Sequence, residues 1–322
     1  MKKNFLVVII TIIITLLAAE AVIRVISSNS FDWRTFLIYD REIGWVGKPF
    51  GAGTFKINGR KMTVRLNSLG LRSREPNEEV KDGILLDGDS QTWGLGLKDG
   101  ETVTDQLEKF TGHNVYNIAQ VGYGTDQELL AFLRFKNKYP AQKIILIVCR
   151  NDLQESCCKF AYGVNRPFIE IKDGRIFMEP VPKSDIWVES QWEKSYLIKF
   201  IISRWKAIAD MICIGNKEFK RNRFLSILFY LKSTAEKNGA ELSVFIIPPR
   251  NKFGGKENDL DRDMDMAAEI CSELKIPFAY PIEEFAHAGG KKLFFSSDWH
   301  WNPDGARLAA RIIADRLIGL RS

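Results

Sequence analysis

The chain has 322 residues, 45% of them apolar and 27% charged, which excludes wholesale disorder and allows one large domain or two small ones. Its 46 Lys and Arg against 40 Asp and Glu give a formal charge of +6 that is spread along the chain, so nothing argues for nucleic acid as a partner. Five cysteines leave at least one thiol unpaired in a monomer, and no cysteine pair has histidines at zinc-ligand spacing.

Lys2 and Lys3 precede an apolar or Thr run from Phe5 to Ala19, which continues past Glu20 and Arg24 to Ile26. A bilayer span needs roughly 20 residues and a secretory apolar core roughly 7–15. The unbroken part fits a signal peptide cleaved near Ala21. The full length fits a tilted anchor with Glu20 and Arg24 paired i,i+4 near the far interface, and this is the favoured reading. The positive-inside rule keeps the two lysines in the cytoplasm and exports everything from about residue 27. Residues 1–26 hold three basic and one acidic side chain, leaving +4 for the remainder. In an oxidising compartment a bridge from Cys157 or Cys158 to Cys213 or Cys271 is expected, while Cys149 reads as core packing.

Residues 27–80 read as a lead-in with little helix, in which alternation around Asn58-Gly59 predicts a type I′ hairpin. From residue 81 onward, strands and helices alternate. Strands are expected at 84–86, 115–118, 143–148, 242–247 and 277–280. Helices are expected at 101–109, stopped by Gly112, and from a Thr125–Glu128 capping box to about Lys138. Further helices are expected at 260–274 and behind Asn302-Pro303, with Leu308, Ile312, Ile313 and Leu317 facing inward. An insertion at about 155–240 holds an Asp173-Gly174 hairpin and a Trp-rich helical stretch from about 190 to 238, whose Trp187, Trp192 and Trp205 are expected to pack between helices. Repeated βα units predict a three-layer α/β/α sandwich around a mainly parallel, flavodoxin-like sheet. Functional residues then belong at the carboxyl ends of strands.

Ser90 follows the first of these strands in Asp87-Gly88-Asp89-Ser90-Gln91-Thr92-Trp93-Gly94. The nucleophile elbow G-x-S-x-G fails at Thr92, and an aspartyl-phosphate pattern D-x-D-x-T/V fails at Gln91. Asp298 and His300, just before the last helix, point the same way in an extended loop, so the carboxylate can set the imidazole tautomer and leave the other nitrogen as a base for Ser90. Gly122, after the second strand, allows a backbone amide close to a substrate. Asn151, after the third, offers a side-chain donor. Together these are the parts of an acyl-transfer site with an oxyanion hole. Trp93, Trp299 and Trp301 crowd the site in sequence, where an aromatic face suits a sugar ring or packs beneath the loops.

The blocks Gly88-Asp89-Ser90, Gly122, Asn151-Asp152 and Asp298/His300, in that order, resemble the SGNH (GDSL) hydrolase family across about residues 40–320. The resemblance implies Ser90 as nucleophile, His300 as base and Asp298 as its orienter, with an oxyanion hole from the Ser90 and Gly122 amides and the Asn151 side chain. It implies no cofactor and no metal. The chain departs from the pattern at Cys149, where Gly usually opens the third block, and in having only Trp299 between Asp298 and His300. That short spacing, with Gly44-Trp45, Asn67-Ser-Leu-Gly70-Leu-Arg72 and Gly122-Tyr-Gly-Thr-Asp-Gln127, is similar to membrane-anchored bacterial members associated with envelope polysaccharides. A single-pass inner-membrane protein with its catalytic domain outside the cytoplasm follows, acting on an ester, foremost an O-acetyl group, of an acylated glycan. Two readings compete: a magnesium-dependent phosphohydrolase using Asp87, Asp89 and Asp152, and a non-catalytic glycan-binding or assembly protein on the same fold.

Overall fold

The computed structural model describes residues 2–27, 35–77, 79–80, 82–184, 187, 195–198, 201 and 216–319. The N-terminal helix, Lys2–Ser27, contains one segment, Asn4–Val25, that is long and apolar enough to cross a membrane, with mean hydropathy 2.9. Arg24 and Glu20 pair at 3.2 Å across one turn, as their spacing predicts. Glu20 also accepts bonds from the Ser195 hydroxyl at 2.8 Å and the Leu197 amide at 2.8 Å.

The lead-in forms two antiparallel pairs, β1 (Leu37–Asp40) with β2 (Gly44–Gly47) and β3 (Ala52–Ile57) with β4 (Arg60–Arg65). Asn58 and Gly59 close the second pair with φ +52° and +74°, the two left-handed positions a type I′ turn demands. Met62, Val64 and Leu66 pack this hairpin with Phe36 onto Trp93 and Ala119, so its tip reaches the edge of the main sheet.

That sheet contains β5 (Gly83–Gly88), β6 (Val115–Asn117) and β7 (Ala141–Val148). The short hairpins β8 (Phe160–Ala161)/β9 (Val164–Asn165) and β10 (Glu170–Lys172)/β11 (Arg175–Phe177) follow. The sheet is completed by β12 (Glu241–Ile246) and β13 (Phe278–Ala279). Its order is β13-β12-β7-β5-β6 and every pairing is parallel, the doubly wound flavodoxin-like arrangement. Alternation along the strands divides the core. Leu85, Ile144, Leu146, Leu242 and Val244 face the helices Thr125–Phe135, Lys217–Lys237 and Asp259–Glu273. Ile84, Leu86, Ile145, Ile147 and Phe245 face the helices Val103–Thr111 and Pro303–Ile312. Three layers result.

Local chemistry explains where elements begin. Thr102 and Asp105 form a capping box, so the first long helix starts at Val103 and ends at Gly112 in the left-handed region. Asn302 caps the last helix by accepting from the Asp304 and Gly305 amides. The capping box expected at Thr125–Glu128 does not form, because Gly124 holds the cap position. A Cβ there would lie 2.8 Å from Arg166 Nη2 and 3.0 Å from the Ser156 amide, so no capping side chain fits. The helix Lys217–Lys237, read from sequence as part of the insertion, buries Phe224, Ile227, Leu228 and Leu231 against the sheet and is the crossover from β7 to β12. Trp187 packs against the same core, whereas Trp192 and Trp205 lie outside the described residues. Cys158 is disulfide-bonded, Cys149, Cys157 and Cys271 are free thiols, and Cys213 lies outside the described residues. Of the bridges expected from sequence, those through Cys157 or Cys271 are therefore not made.

Candidate active site

β5 stands where the order of the parallel strands reverses, between β6 and β7, so its carboxyl end opens into the crevice of the sheet. Gly88 ends the strand at φ +150°. A Cβ there would lie 2.3 Å from Thr92 Oγ1 and 2.8 Å from the Ile147 carbonyl, so this turn admits only glycine. Asp89 caps the one-turn helix Ser90–Trp93 by accepting from the Gln91 amide at 2.8 Å, which sets Ser90 at the rim.

The loop from the far end of the chain meets it there. His300 Nε2 lies 2.8 Å from Ser90 Oγ. His300 Nδ1 lies 3.3 Å from Asp298 Oδ2. Asp298 Oδ1 accepts the His300 backbone amide at 2.9 Å, and Oδ2 accepts the Asn58 side-chain amide at 2.8 Å. Burial works to raise the Asp298 pKa, but the bonds and charge of His300, with the Asn58 amide, outweigh it and hold the carboxyl below its ordinary range.

Two residues in this arrangement escaped the sequence reading. Asn58 was read only for its turn; its side chain also accepts from Ser297 Oγ at 2.6 Å, so the hairpin tip grips the loop that carries Asp298. Gln91, noted for breaking a phosphatase pattern, donates to the Trp299 carbonyl at 2.9 Å and accepts from the Trp301 amide at 3.0 Å. It spans His300 and fixes the backbone on both sides. Proximity to Ser90 was the only sequence signal for Gln91, and no sequence signal linked position 58 to position 298.

In the loop that follows β6, Gly122 has φ +77°, and its carbonyl accepts from Arg166 Nη1 at 3.0 Å. The Ser90 and Gly122 amides donate to no other group among the described residues. Asn151 begins the turn Asp152–Glu155 and gives one side-chain hydrogen to Glu155 Oε1 at 2.7 Å, fixing the amide plane. Glu155 is itself held by buried Arg166 at 3.0 Å and by the Tyr162 hydroxyl.

Beneath this rim, Asp87, Asp89, Glu128 and Asp152 are buried, and burial pushes each carboxyl pKa upward. Asp87 Oδ2, both Glu128 oxygens and Asp152 Oδ1 have no hydrogen-bond partner. The acids of the phosphohydrolase reading, Asp87, Asp89 and Asp152, thus lie buried under the Ser90 turn, out of reach of a phosphate ester. Trp93 and Trp301, read as candidate substrate-side rings, are each 1% exposed and serve as core; Trp299 is 42% exposed. The arrangement can pass a proton from a hydroxyl to an imidazole that has a carboxylate on its far side.

This is a doubly wound α/β protein in which Ser90, His300 and Asp298 come together in line at the carboxyl edge of the sheet. No protein-family model matches the chain, and no curated protein matches it. Solved structures similar in fold include a member of the lipolytic protein G-D-S-L family from Veillonella parvula, 16% identical with a TM-score of 0.41 over 74% of this chain and 99% of that one. A lipase/acylhydrolase from Enterococcus faecalis is 12% identical, with a TM-score of 0.43 over 74% of this chain and 96% of its own. The psychrotrophic esterase EstA from Pseudoalteromonas sp. is 12% identical, with a TM-score of 0.42 over 74% and 97%.

Proposed function

We propose that the chain is a serine esterase or acyltransferase of the SGNH kind, anchored by its N-terminal helix, that acts on an ester group of an exported or cell-envelope polysaccharide, foremost an O-acetyl group. The observation that carries the chemistry is the 2.8 Å contact between Ser90 Oγ and His300 Nε2, with Asp298 behind the ring. His300 takes the Ser90 proton as Oγ bonds to the acyl carbon, and the carbonyl oxygen becomes an oxyanion. The Ser90 and Gly122 amides and the second hydrogen of the Asn151 amide stabilise that charge. As the ester C–O bond breaks, His300 returns the proton to the departing alcohol, leaving an acyl-Ser90. Water, or the hydroxyl of an acceptor, then gives its proton to His300 as its oxygen bonds to the acyl carbon, and as the acyl–Oγ bond breaks His300 returns that proton to Ser90.

The glycan and the location rest on the sequence resemblance and on the apolar helix; a disulfide at Cys158 suits an oxidising compartment. The test is p-nitrophenyl acetate turnover by the full chain in detergent. Wild type should show a burst and steady turnover, and Ser90→Ala should show neither. Turnover that persists in Ser90→Ala would overturn the reading.

A further inference from the structure

A fourth strand end also contributes to the site. β12 runs into Pro248-Pro249 and the short turn Arg250–Phe253, which brings Arg250 beside the loop that carries Asp298 and His300. Arg250 Nη1 makes only long contacts, 3.4 Å to the Asp298 carbonyl and 3.5 Å to the Ser296 carbonyl. Its Nε is buried without a partner, and no carboxylate oxygen among the described residues lies within 4.0 Å of the guanidinium. The neighbouring cations differ. Arg60 pairs with Glu101 at 2.7 Å, Arg150 with Asp261 at 3.2 Å, Arg166 with Glu155 at 3.0 Å and Lys252 with Asp265 at 2.9 Å.

The exposed ring of the site lies in the same place. The Arg150 guanidinium stacks 4.2 Å from the Trp299 ring centroid, and Arg250 stands 5.9 Å from it. Trp299 adjoins His300 in the chain, and Arg150, stacked on its indole, adjoins Asn151, so the ring stands between the His300 loop and the end of β7. A partly buried cation with unused donors and no counter-ion is costly unless an anion completes it. A guanidinium fork suits a planar carboxylate, and an exposed indole suits the apolar face of a sugar ring. An anionic lipid surface is instead met by a cluster of basic residues, whereas here a single unpaired cation adjoins an aromatic ring.

We propose that Arg250, with Trp299, is the anion-recognition subsite of this enzyme and that its substrate is an acidic polysaccharide, carrying a carboxylate on the sugar bound next to the ester. This rests on the serine esterase reading above. The test compares the full chain in detergent on acetylated polygalacturonate and on acetylated xylan of matched acetyl content. Wild type should favour the acidic polymer by about 10-fold or more in kcat/KM, the scale of one charge-assisted hydrogen bond. Arg250→Gln should reduce that ratio to near one, Arg250→Lys should keep part of it, and raising salt to about 0.5 M should shrink it in wild type. Equal use of the two polymers by wild type, or an unchanged ratio in Arg250→Gln, overturns the proposal. Binding supplies an arm independent of turnover. Ser90→Ala should be retarded by unacetylated polygalacturonate in affinity electrophoresis, and Ser90→Ala/Arg250→Gln should not; equal retardation counts against the subsite. Should Ser90→Ala keep its esterase activity, the esterase reading fails, and this binding arm still decides whether Arg250 selects anions.

Discussion

Asp298 does its proposed work through a carboxylate held ionised by its neighbours. Asn58 is one of them, donating at 2.8 Å to the same oxygen that faces His300 Nδ1. Removing that amide with Asn58→Ala should lower kcat by about 10-fold, the scale of a hydrogen bond to a charged group, with KM little changed. Asn58→Asp should be worse, because a second carboxylate against Asp298 raises the pKa of the pair and confines activity to higher pH. A pH profile of kcat for the two variants checks both. Identical acid limbs in wild type and Asn58→Asp would show that the hairpin does not tune Asp298.

The strand-to-helix turn at the end of β5 has no slack. Gly88 combines φ +150° with backbone and side-chain atoms closer than any Cβ tolerates, and Asp89, Ser90 and Gln91 all take their positions from it. Gly88→Ala should cost at least ~1–3 kcal/mol from backbone strain alone and shift Ser90 relative to His300. Thermal unfolding and acyl-enzyme burst amplitude measure the two effects. A variant with unchanged midpoint and burst would mean that the turn relaxes freely. The β3–β4 hairpin is the second element on which the site depends. Its packing on Trp93 and Ala119 brings Asn58 to a loop 240 residues away in sequence. It is therefore part of the site and more than a spacer between the N-terminal helix and the domain.

For the molecule as a whole, the buried acids set the pH response. Burial raises Asp87, Asp89, Glu128 and Asp152 above their ordinary range, so above about pH 4 the folded chain binds more protons than the unfolded one. Their contribution to stability is complete below that pH and is lost as pH rises through the folded pKa values. Asp298, Asp40 and Glu101 are lowered and act oppositely, with stability lost as pH falls below about 4. Stability should therefore peak in mild acid. Glu128→Gln, at a position where neither oxygen has a partner, should flatten the decline as pH rises above about 4. The thermal midpoint across that range is the measurement, and a wild-type midpoint that rises steadily with pH would contradict the account.

What the sequence determined by itself is local or periodic. Alternating apolar strands and caps such as Asn302-Pro303 specified the layered α/β architecture, and Asn58-Gly59 specified its turn, because burial patterns and φ requirements act between near neighbours. The four motif blocks marked Ser90, Gly122, Asn151, Asp298 and His300 as candidates. The tertiary structure alone decided which residues flank them. It buried Trp93 and Trp301 while leaving Trp299 exposed, and put a glycine where a capping side chain was expected. It also assigned the Lys217–Lys237 helix to the sheet. Asn58, Gln91 and Arg250 reach the His300 loop through contacts that span 46 to 240 positions, set by how the hairpin and β12 pack against the sheet edge. No periodicity or spacing encodes such contacts, because they arise only when separate elements are packed together.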